Sequence, residues 1–112
     1  MEASEAFAAS GEKNTRHCWR IKQFELVKVE PQDFGQFYAG DSYIFLASKD
    51  KIHHCFFWIG VESTTDEYAS AAILTTNLSD HLSNSTGRPT VHHREEQAHE
   101  SRLFLSEFPQ GI

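Results

Sequence analysis

The hydrophobic pattern is strongest in the middle of the chain, where two near-continuous apolar runs cover residues 42–47 and 52–59. Residues 48–51 between them are polar. This pattern predicts two antiparallel strands at the centre of a sheet. Because the strands are apolar on both sides, we expect a long helix on one face of the sheet and a shorter element on the other.

Three further segments have patterns typical of strands. They are residues 18–21, 24–29 and 90–97. The last of them is mostly polar and alternates weakly, so we expect it at an edge of the sheet. A loop marked by Pro31, Asp33 and Gly35 follows the first two segments.

The two ends of the chain differ in character. Residues 1–15 are small and polar apart from Phe7, which predicts a flexible arm in front of one domain that covers residues 16–112. Residues 100–108 are apolar enough for a short helix that covers one face of the sheet, and Pro109 ends it. At 112 residues, the chain has room for one core but not for two domains.

A long helix is predicted between the second central strand and the edge strand. Thr64 and Glu67 have the spacing of a capping box, and a carboxylate favours the positive end of the helix dipole. The helix therefore begins near Thr64 or Thr65, and it ends near Leu82 because residues 83–89 have the composition of a loop. Its inner face is an apolar stripe formed by Ala71, Leu74, Leu78 and Leu82.

Ile73 lies well outside this stripe, with Ser70, Asn77 and Asp80 nearer to it. A single exposed isoleucine is normal on a protein surface. Most of its neighbours are small and uncharged, so this face could fit the hydrophobic cleft of a partner. It could equally support a second layer of packing within the domain.

Charge and composition exclude several classes of protein. A net charge of -6 opposes general binding to a phosphate backbone, so we expect no nucleic-acid partner. No run of about 18 apolar residues predicts a membrane span, and the first residues do not resemble a secretory signal. The even number of cysteines permits a disulfide. We interpret Cys18 and Cys55 as buried free thiols of a reducing compartment, which predicts a cytoplasmic protein.

Two groups of residues suggest metal binding. Gly40 and Asp41 place a backbone carbonyl and a carboxylate together, and Glu67 could close on the same ion, an oxygen-only set that suits calcium. The alternative is that Asp41 is a turn residue and Glu67 a capping residue. The second group consists of His53, His54, His92, His93 and His99. No pair of them has a recognised ligand spacing, and adjacent strand residues face opposite sides, so we predict no zinc site.

Catalysis is not predicted. Cys55 follows two histidines, but it lies in a hydrophobic strand, where the thiolate is disfavoured. Ser63, His93 and Glu95 could be drawn as a triad, but the chain has neither a nucleophile elbow nor a glycine-rich oxyanion loop. We therefore expect a binding domain rather than an enzyme.

The order and spacing of many short segments resemble the gelsolin and villin family of actin-severing and capping proteins, most closely the first domain of those proteins. The similarity runs from about Phe7 to the last residue. The segments that carry it include Trp19-Arg20-Ile21, Phe24-Glu25-Leu26-Val27, Gly35-Gln36-Phe37-Tyr38-Ala39-Gly40-Asp41-Ser42-Tyr43, Trp58-Ile59-Gly60, Ser63-Thr64-Thr65-Asp66-Glu67, Ala71-Ala72-Ile73-Leu74, His93-Arg94-Glu95 and Phe108-Pro109-Gln110-Gly111-Ile112.

The resemblance implies an α+β gelsolin-like domain, with a five-stranded mixed sheet between one long and one short helix. It also implies that the long helix inserts into a cleft of actin. The residues assigned to this actin-binding surface are Ser70, Ile73, Leu74, Asn77 and Asp80.

Two calcium sites are implied by the same resemblance. The site within the domain maps onto Gly40, Asp41 and Glu67.

The second site is shared with actin and uses an aspartate near the end of the long helix together with carbonyls of the following loop. This chain has Ser79 at the matching position, and Gly87 and Thr90 could supply carbonyls. Asp80 follows Ser79 but is turned about 100° around the helix, so we expect this interfacial site not to be intact.

From the resemblance we expect a domain that sequesters actin monomers or caps the fast-growing filament end, with weak severing at most, in the cytoplasmic cytoskeleton. The basic residues are too scattered to predict phosphoinositide binding. Two rival interpretations stay open. One is a calcium-binding structural domain of the same fold that does not contact actin, and the other is a cofilin-like monomer binder.

Overall fold

The computed structural model describes residues 14–22 and 25–109, with residues 22 and 65–68 described by their backbone alone. The strands in this part of the chain are β1 (Thr15–Lys22), β2 (Glu25–Val29), β3 (Ser42–Ser48), β4 (His53–Ile59) and β5 (Thr90–Glu96). They form one five-stranded sheet in the order β2-β1-β3-β4-β5. Neighbouring strands are antiparallel except β4 and β5, which are parallel. The predicted mixed sheet is confirmed.

The central pair of the sheet is β3 and β4, as the hydrophobic pattern predicts. Every residue of β3 is buried. The two strands are antiparallel, with Phe45 opposite Phe56 and Leu46 opposite Cys55. Because successive side chains of a strand point to opposite faces, each central strand contributes to two cores.

A helix, α1 (Thr65–Thr86), connects β4 to β5. Parallel neighbours need a long crossover connection, and α1 provides it. The helix covers one face of the sheet, and the core between them consists of Trp19, Ile21, Leu26, Ile44, Leu46, Cys55, Ala71, Leu78 and Leu82, with Leu74 and Phe57 partly buried against it.

The other face is covered by a short helix, α2 (Arg102–Leu105), which lies within the predicted segment 100–108. Its core is mostly aromatic and consists of Cys18, Tyr43, Phe45, Ala47, Phe56, Trp58, Phe104 and Phe108. The Phe37 ring lies in the loop before β3 and stacks on Trp58 and on Phe104, with ring centroids 5.0 and 5.8 Å away. A Glu95 carboxylate oxygen accepts the Ser101 backbone N–H at 2.6 Å, which holds the start of α2 against β5.

The end of α1 differs from the prediction. The helix does not stop near Leu82 but continues for one more turn to Thr86, so that most of the predicted loop 83–89 is helical. The reason is a tertiary contact: the ring nitrogen Nε2 of the buried His53 lies 3.0 Å from the Thr86 hydroxyl. Gly87 then ends the helix with a φ of 71°, a left-handed conformation that glycine adopts without strain.

The cysteines and histidines lie as the sequence indicates. Cys18 and Cys55 are buried free thiols in opposite cores. His53 points toward α1, whereas His54 lies on the other face, where its ring is near that of Phe56. Among the described residues, no helix is long and apolar enough to cross a membrane. The predicted arm, residues 1–15, falls almost entirely outside the described residues and stays a prediction.

Candidate functional site

The outer face of α1 exposes the isoleucine that the sequence places outside the apolar stripe. Ala71 and Leu78 are fully buried, whereas 63% of the Ile73 side chain is exposed. Two residues along a helix turn the side chain by about 200°, so Ile73 points away from the sheet that Ala71 contacts. Asn77 and Asp80 are exposed beside it. The described part of the outer face therefore presents the exposed Ile73 among small and polar side chains.

The other two residues assigned to this surface lie at its border. Ser70 is half-buried. Leu74 is also half-buried, because part of its side chain packs against the core between α1 and the sheet. We define the α1 outer face as Ser70, Ile73, Leu74, Asn77 and Asp80.

A second candidate site lies near the start of α1, where a tight turn precedes β3. The Asp41 backbone N–H donates to the Tyr38 carbonyl at 3.1 Å, and the Tyr38 N–H donates to the hydroxyl of the buried Tyr43 at 2.9 Å. We refer to residues 38–41 as the calcium turn, because Gly40 and Asp41 of the predicted calcium site belong to it.

The segment before α1 packs tightly against the calcium turn. Gly60 and Glu62 donate backbone hydrogen bonds to the carbonyls of Asp41 and Ala39, at 3.1 and 2.9 Å. A Cβ atom at Gly60 would lie 2.2 Å from the Ala39 oxygen, so no other residue fits there without a shift of the turn. This packing brings the start of α1 close to the calcium turn.

A pair of serines strengthens the same junction. The hydroxyls of Ser42 in β3 and Ser63 in front of α1 lie 2.7 Å apart. Glu67 lies in the first turn of α1, two residues after Thr65, and its side chain is outside the described part of the structure. The predicted set of Gly40, Asp41 and Glu67 therefore comes from two segments that the backbone holds together.

Asp41 faces a positive charge. The Arg20 guanidinium donates to Asp41 Oδ2 from Nε at 2.8 Å, and its second contacting nitrogen lies 2.6 Å from the same oxygen. The Arg20 carbon Cζ also lies 5.1 Å from the centre of the Tyr38 ring, in cation–π contact. No sequence pattern singles out Arg20 as a partner of Asp41, and only the pairing of β1 with β3 brings them together.

The donor chemistry of the calcium turn fits calcium. The candidate ligands are carboxylate and carbonyl oxygens, which calcium prefers. A Cβ atom added at Gly40 would have nothing within 4 Å, so there is open space beside the turn. The contact with Arg20 shows that Asp41 already serves as the partner of a cation. Within the described residues, no group of three or more His, Cys, Asp or Glu side chains could hold a metal.

The residues predicted for the interfacial calcium site lie at and beyond the far end of α1. Ser79 is half-buried and Asp80 is exposed. Gly87 follows the helix, and Thr90 begins β5 with its hydroxyl buried and without a hydrogen-bond partner. That this site is not intact stays a prediction.

Two histidines that the sequence treats separately meet across β4 and β5. His54 Nδ1 and His93 Nε2 lie 3.0 Å apart, a hydrogen-bond distance. Burial lowers the pKa of His93, and the neighbouring His54 lowers it further, since a second positive charge would be repelled. The hydrogen-bond distance and the lowered pKa of His93 both favour the neutral form of the His93 ring.

The three residues that could be drawn as a catalytic triad have separate hydrogen-bond partners. The hydroxyl of Ser63 bonds that of Ser42, His93 bonds His54, and Glu95 bonds Ser101. Burial raises the pKa of the Cys55 thiol to about 12, so that it is not a thiolate near neutral pH.

Comparison with known proteins identifies the family. The family model described as the gelsolin repeat matches residues 23–105. Gelsolin-like protein 1 of Caenorhabditis elegans is 47% identical over 108 residues, which cover 96% of this chain and 22% of that protein. Cytoplasmic gelsolin of Homarus americanus is 41% identical over 114 residues, covering 96% and 14% of the two chains. The macrophage-capping protein of Rattus norvegicus is 36% identical over 112 residues, which cover 99% of this chain and 31% of that protein.

A solved structure has the same architecture. The crystal structure of the Thorarchaeota 2DGel3/rabbit actin complex matches 87% of this chain and 44% of that chain, with a TM-score of 0.60 and 25% identity. This chain spans between 14% and 31% of the length of the relatives named above. The family match over most of the described residues and this level of identity show that the chain belongs to the gelsolin repeat family.

Proposed function

We propose that this domain binds actin through the α1 outer face, with Ile73 inserted into an apolar cleft of the partner. The observation that carries the proposal is the 63% exposure of Ile73 on a helix whose opposite side is fully buried. An amphipathic helix with an exposed apolar anchor suits the helix-in-groove mode of recognition. Binding energy, not chemistry on actin, is then the basis of the function.

The relatives support this partner. The solved neighbour from Thorarchaeota is a complex with rabbit actin. The relative from Rattus norvegicus is named for capping. One such domain would sequester actin monomers or cap the fast-growing filament end, and would sever weakly at most. We place it in the cytoplasm with the cytoskeleton, as the name of the Homarus americanus relative suggests.

We also propose a calcium site formed by the Gly40 carbonyl and the carboxylates of Asp41 and Glu67. The supporting observations are the oxygen donors of the calcium turn and the hydrogen bonds that hold residues 60–63 against it. When bound, calcium supplies a link between the calcium turn and the first turn of α1. The chain's own contribution is to position the turn, through Gly60 and the pair of Ser42 and Ser63.

The experiment that tests the proposal is actin assembly, followed by pyrene fluorescence, with the domain in calcium and then in chelator. We expect the domain to inhibit assembly, and we expect Ile73→Asp to abolish the effect. Removing an isoleucine from an apolar cleft loses about 1.5–3 kcal/mol, and a buried unpaired charge adds more, so affinity should fall at least about 100-fold.

A matched control is Val91→Asp. Val91 is another exposed β-branched residue, 38% accessible, on the opposite face of the sheet from α1. It should bind actin like the unsubstituted domain. Both variants should keep their unfolding temperature within a few degrees, since both positions are exposed.

The outcome also separates the rival functions. If the unsubstituted domain leaves assembly unchanged in calcium and in chelator, the structural calcium-binding role replaces actin binding. Normal binding by Ile73→Asp would show instead that another surface carries the interaction.

A further inference from the structure

Arg20 contacts one oxygen of the carboxylate that the proposed calcium site needs. Two of its guanidinium nitrogens contact the same oxygen of Asp41, at 2.6 and 2.8 Å. The pair is largely shielded from solvent, with 29% of the Arg20 side chain and 14% of the Asp41 side chain exposed. Charge-assisted contacts of this length are strong and are weakly screened when partly buried.

Calcium and the guanidinium compete for this oxygen. Calcium binds carboxylate oxygens at about 2.3–2.6 Å. An ion at that distance from Oδ2 would lie about 5 Å from the guanidinium if Arg20 kept its place, close enough for strong repulsion. Coordination by Oδ2 therefore requires Arg20 to move or weakens the affinity.

The structure leaves room for the Arg20 side chain to move away from Asp41. Its guanidinium already lies over the Tyr38 ring. Beside them is a cavity of about 270 Å³ lined by Arg20, Tyr38, Glu30 and Asp33, among others. Rotation of the side chain into the cavity would give up the contact with Asp41, and Glu30 and Asp33 would offer the guanidinium negative charge there.

We propose that Arg20 is a built-in competitor of calcium. It balances the charge of Asp41 at low calcium concentration and moves into the cavity lined by Glu30 and Asp33 as calcium binds. The consequence is a raised calcium threshold, with the calcium turn kept in place by an ion pair below that threshold. This inference rests on the calcium site proposed above and concerns its regulation.

The test is the calcium affinity of arginine variants, measured by isothermal titration calorimetry with calcium chloride. Arg20→Gln should lower the dissociation constant about tenfold, because it removes both the competitor and a neighbouring positive charge. Arg20→Lys keeps the charge but contacts Asp41 with one nitrogen, so we expect a decrease of about threefold.

A matched control is Arg16→Gln. Arg16 lies on the same strand, four residues from Arg20 and so about 13 Å away, and it donates to the Glu107 carbonyl instead. That separation exceeds the screening length of about 8 Å at physiological salt. Its calcium dissociation constant should stay within about twofold of the unsubstituted value.

Each other outcome overturns the inference. Equal affinity of Arg20→Gln and the unsubstituted domain would show that the two cations do not compete, and weaker binding would show that Arg20 positions Asp41 for calcium. If neither protein binds calcium at millimolar concentration, the proposed calcium site fails as well. Actin binding is judged separately by the Ile73 variant. Thermal unfolding in chelator checks that each variant folds. If Arg20→Gln does not fold, the calcium affinity of Arg20→Lys still tests the inference.

Discussion

We expect the substitution Thr86→Val to destabilise the last turn of α1. The Thr86 hydroxyl donates to the Leu82 carbonyl at 2.7 Å and accepts the Arg88 backbone N–H at 3.1 Å. Since its one proton is used, the third contact must be donated by His53 Nε2, at 3.0 Å. His53 Nδ1 then accepts from the Ser48 hydroxyl at 2.9 Å. Valine keeps the shape of threonine but offers none of these bonds.

The magnitude follows from which groups lose a partner. His53 is fully buried, so its unpaired N–H costs about 1–3 kcal/mol, and the contacts of the hydroxyl with the Leu82 carbonyl and the Arg88 N–H, both part-buried, are lost as well. The methyl group that replaces the hydroxyl recovers part of this loss by burying apolar surface. We expect a net destabilisation of about 2 kcal/mol. With an unfolding entropy of about 2.1 cal/mol/K per residue, a chain of 112 residues should lose about 8 °C in Tm.

The assay is urea unfolding followed by tryptophan fluorescence, together with hydrogen exchange of the last-turn amides. Thr76→Val is the matched control, because Thr76 is also a helical threonine whose hydroxyl donates four residues back, to the Ala72 carbonyl at 3.3 Å. Thr76 is exposed, so its substitution should change stability by less than about 0.5 kcal/mol.

The reasoning would be refuted by equal stabilities of the two valine variants. It would also be refuted if Thr86→Val lost stability but the amides of the last turn kept their protection from exchange. In either case the extension of α1 beyond Leu82 would need another cause than the contact with His53.

The remaining predictions concern the loss of stability in acid and the substitution of Gly60. Burial is the first cause that lowers the pKa of both His53 and His93 from the ordinary 6.5. The unfolded chain then binds protons that the folded chain excludes, so stability should be full above pH 6.5 and fall as the pH drops below it. Urea unfolding at pH 7.5, 6.0 and 5.0 checks this, and His93→Gln should flatten the fall; a flat profile in the unsubstituted domain contradicts it. Gly60→Ala should cost at least about 2 kcal/mol, because its Cβ would lie 2.2 Å from the Ala39 oxygen, whereas Gly40→Ala has open space. Comparable stability of the two alanine variants in urea would contradict that reasoning.

The central strands and the body of α1 could be predicted because each has a strong local pattern. A run of apolar residues such as β3 can only be buried, and a stripe such as Ala71, Leu78 and Leu82 can only face a core. Ile73 was separable from that stripe for the same reason, since helical geometry alone sets its direction. These features follow from the local sequence and do not depend on which elements pack against each other.

The end of α1 could not be predicted in this way. Residues 83–86 are Ser, Asn, Ser and Thr, which favour loops in isolation because their side chains compete for backbone hydrogen bonds. In the folded chain the hydroxyl of Thr86 instead meets a buried histidine that lies 33 residues away in sequence. A tertiary bond thus overrides the local preference.

The candidate calcium site shows the same division. The sequence predicts Gly40, Asp41 and Glu67 as residues of this site, but it does not predict the contact with Arg20. The register of β1 against β3, with Ile21 opposite Ser42, is what carries Arg20 to Asp41. The side chain of Glu67 lies outside the described residues, and its part in the site stays a prediction.

The sequence by itself determined the elements of this protein, the directions of their faces and the family to which its segments are similar. Only the tertiary structure decided which polar groups meet: Arg20 with Asp41, and His54 with His93. The physical reason is that hydrophobic periodicity depends on local backbone geometry, whereas a polar contact depends on strand order and register. Those are set by the packing of the whole sheet.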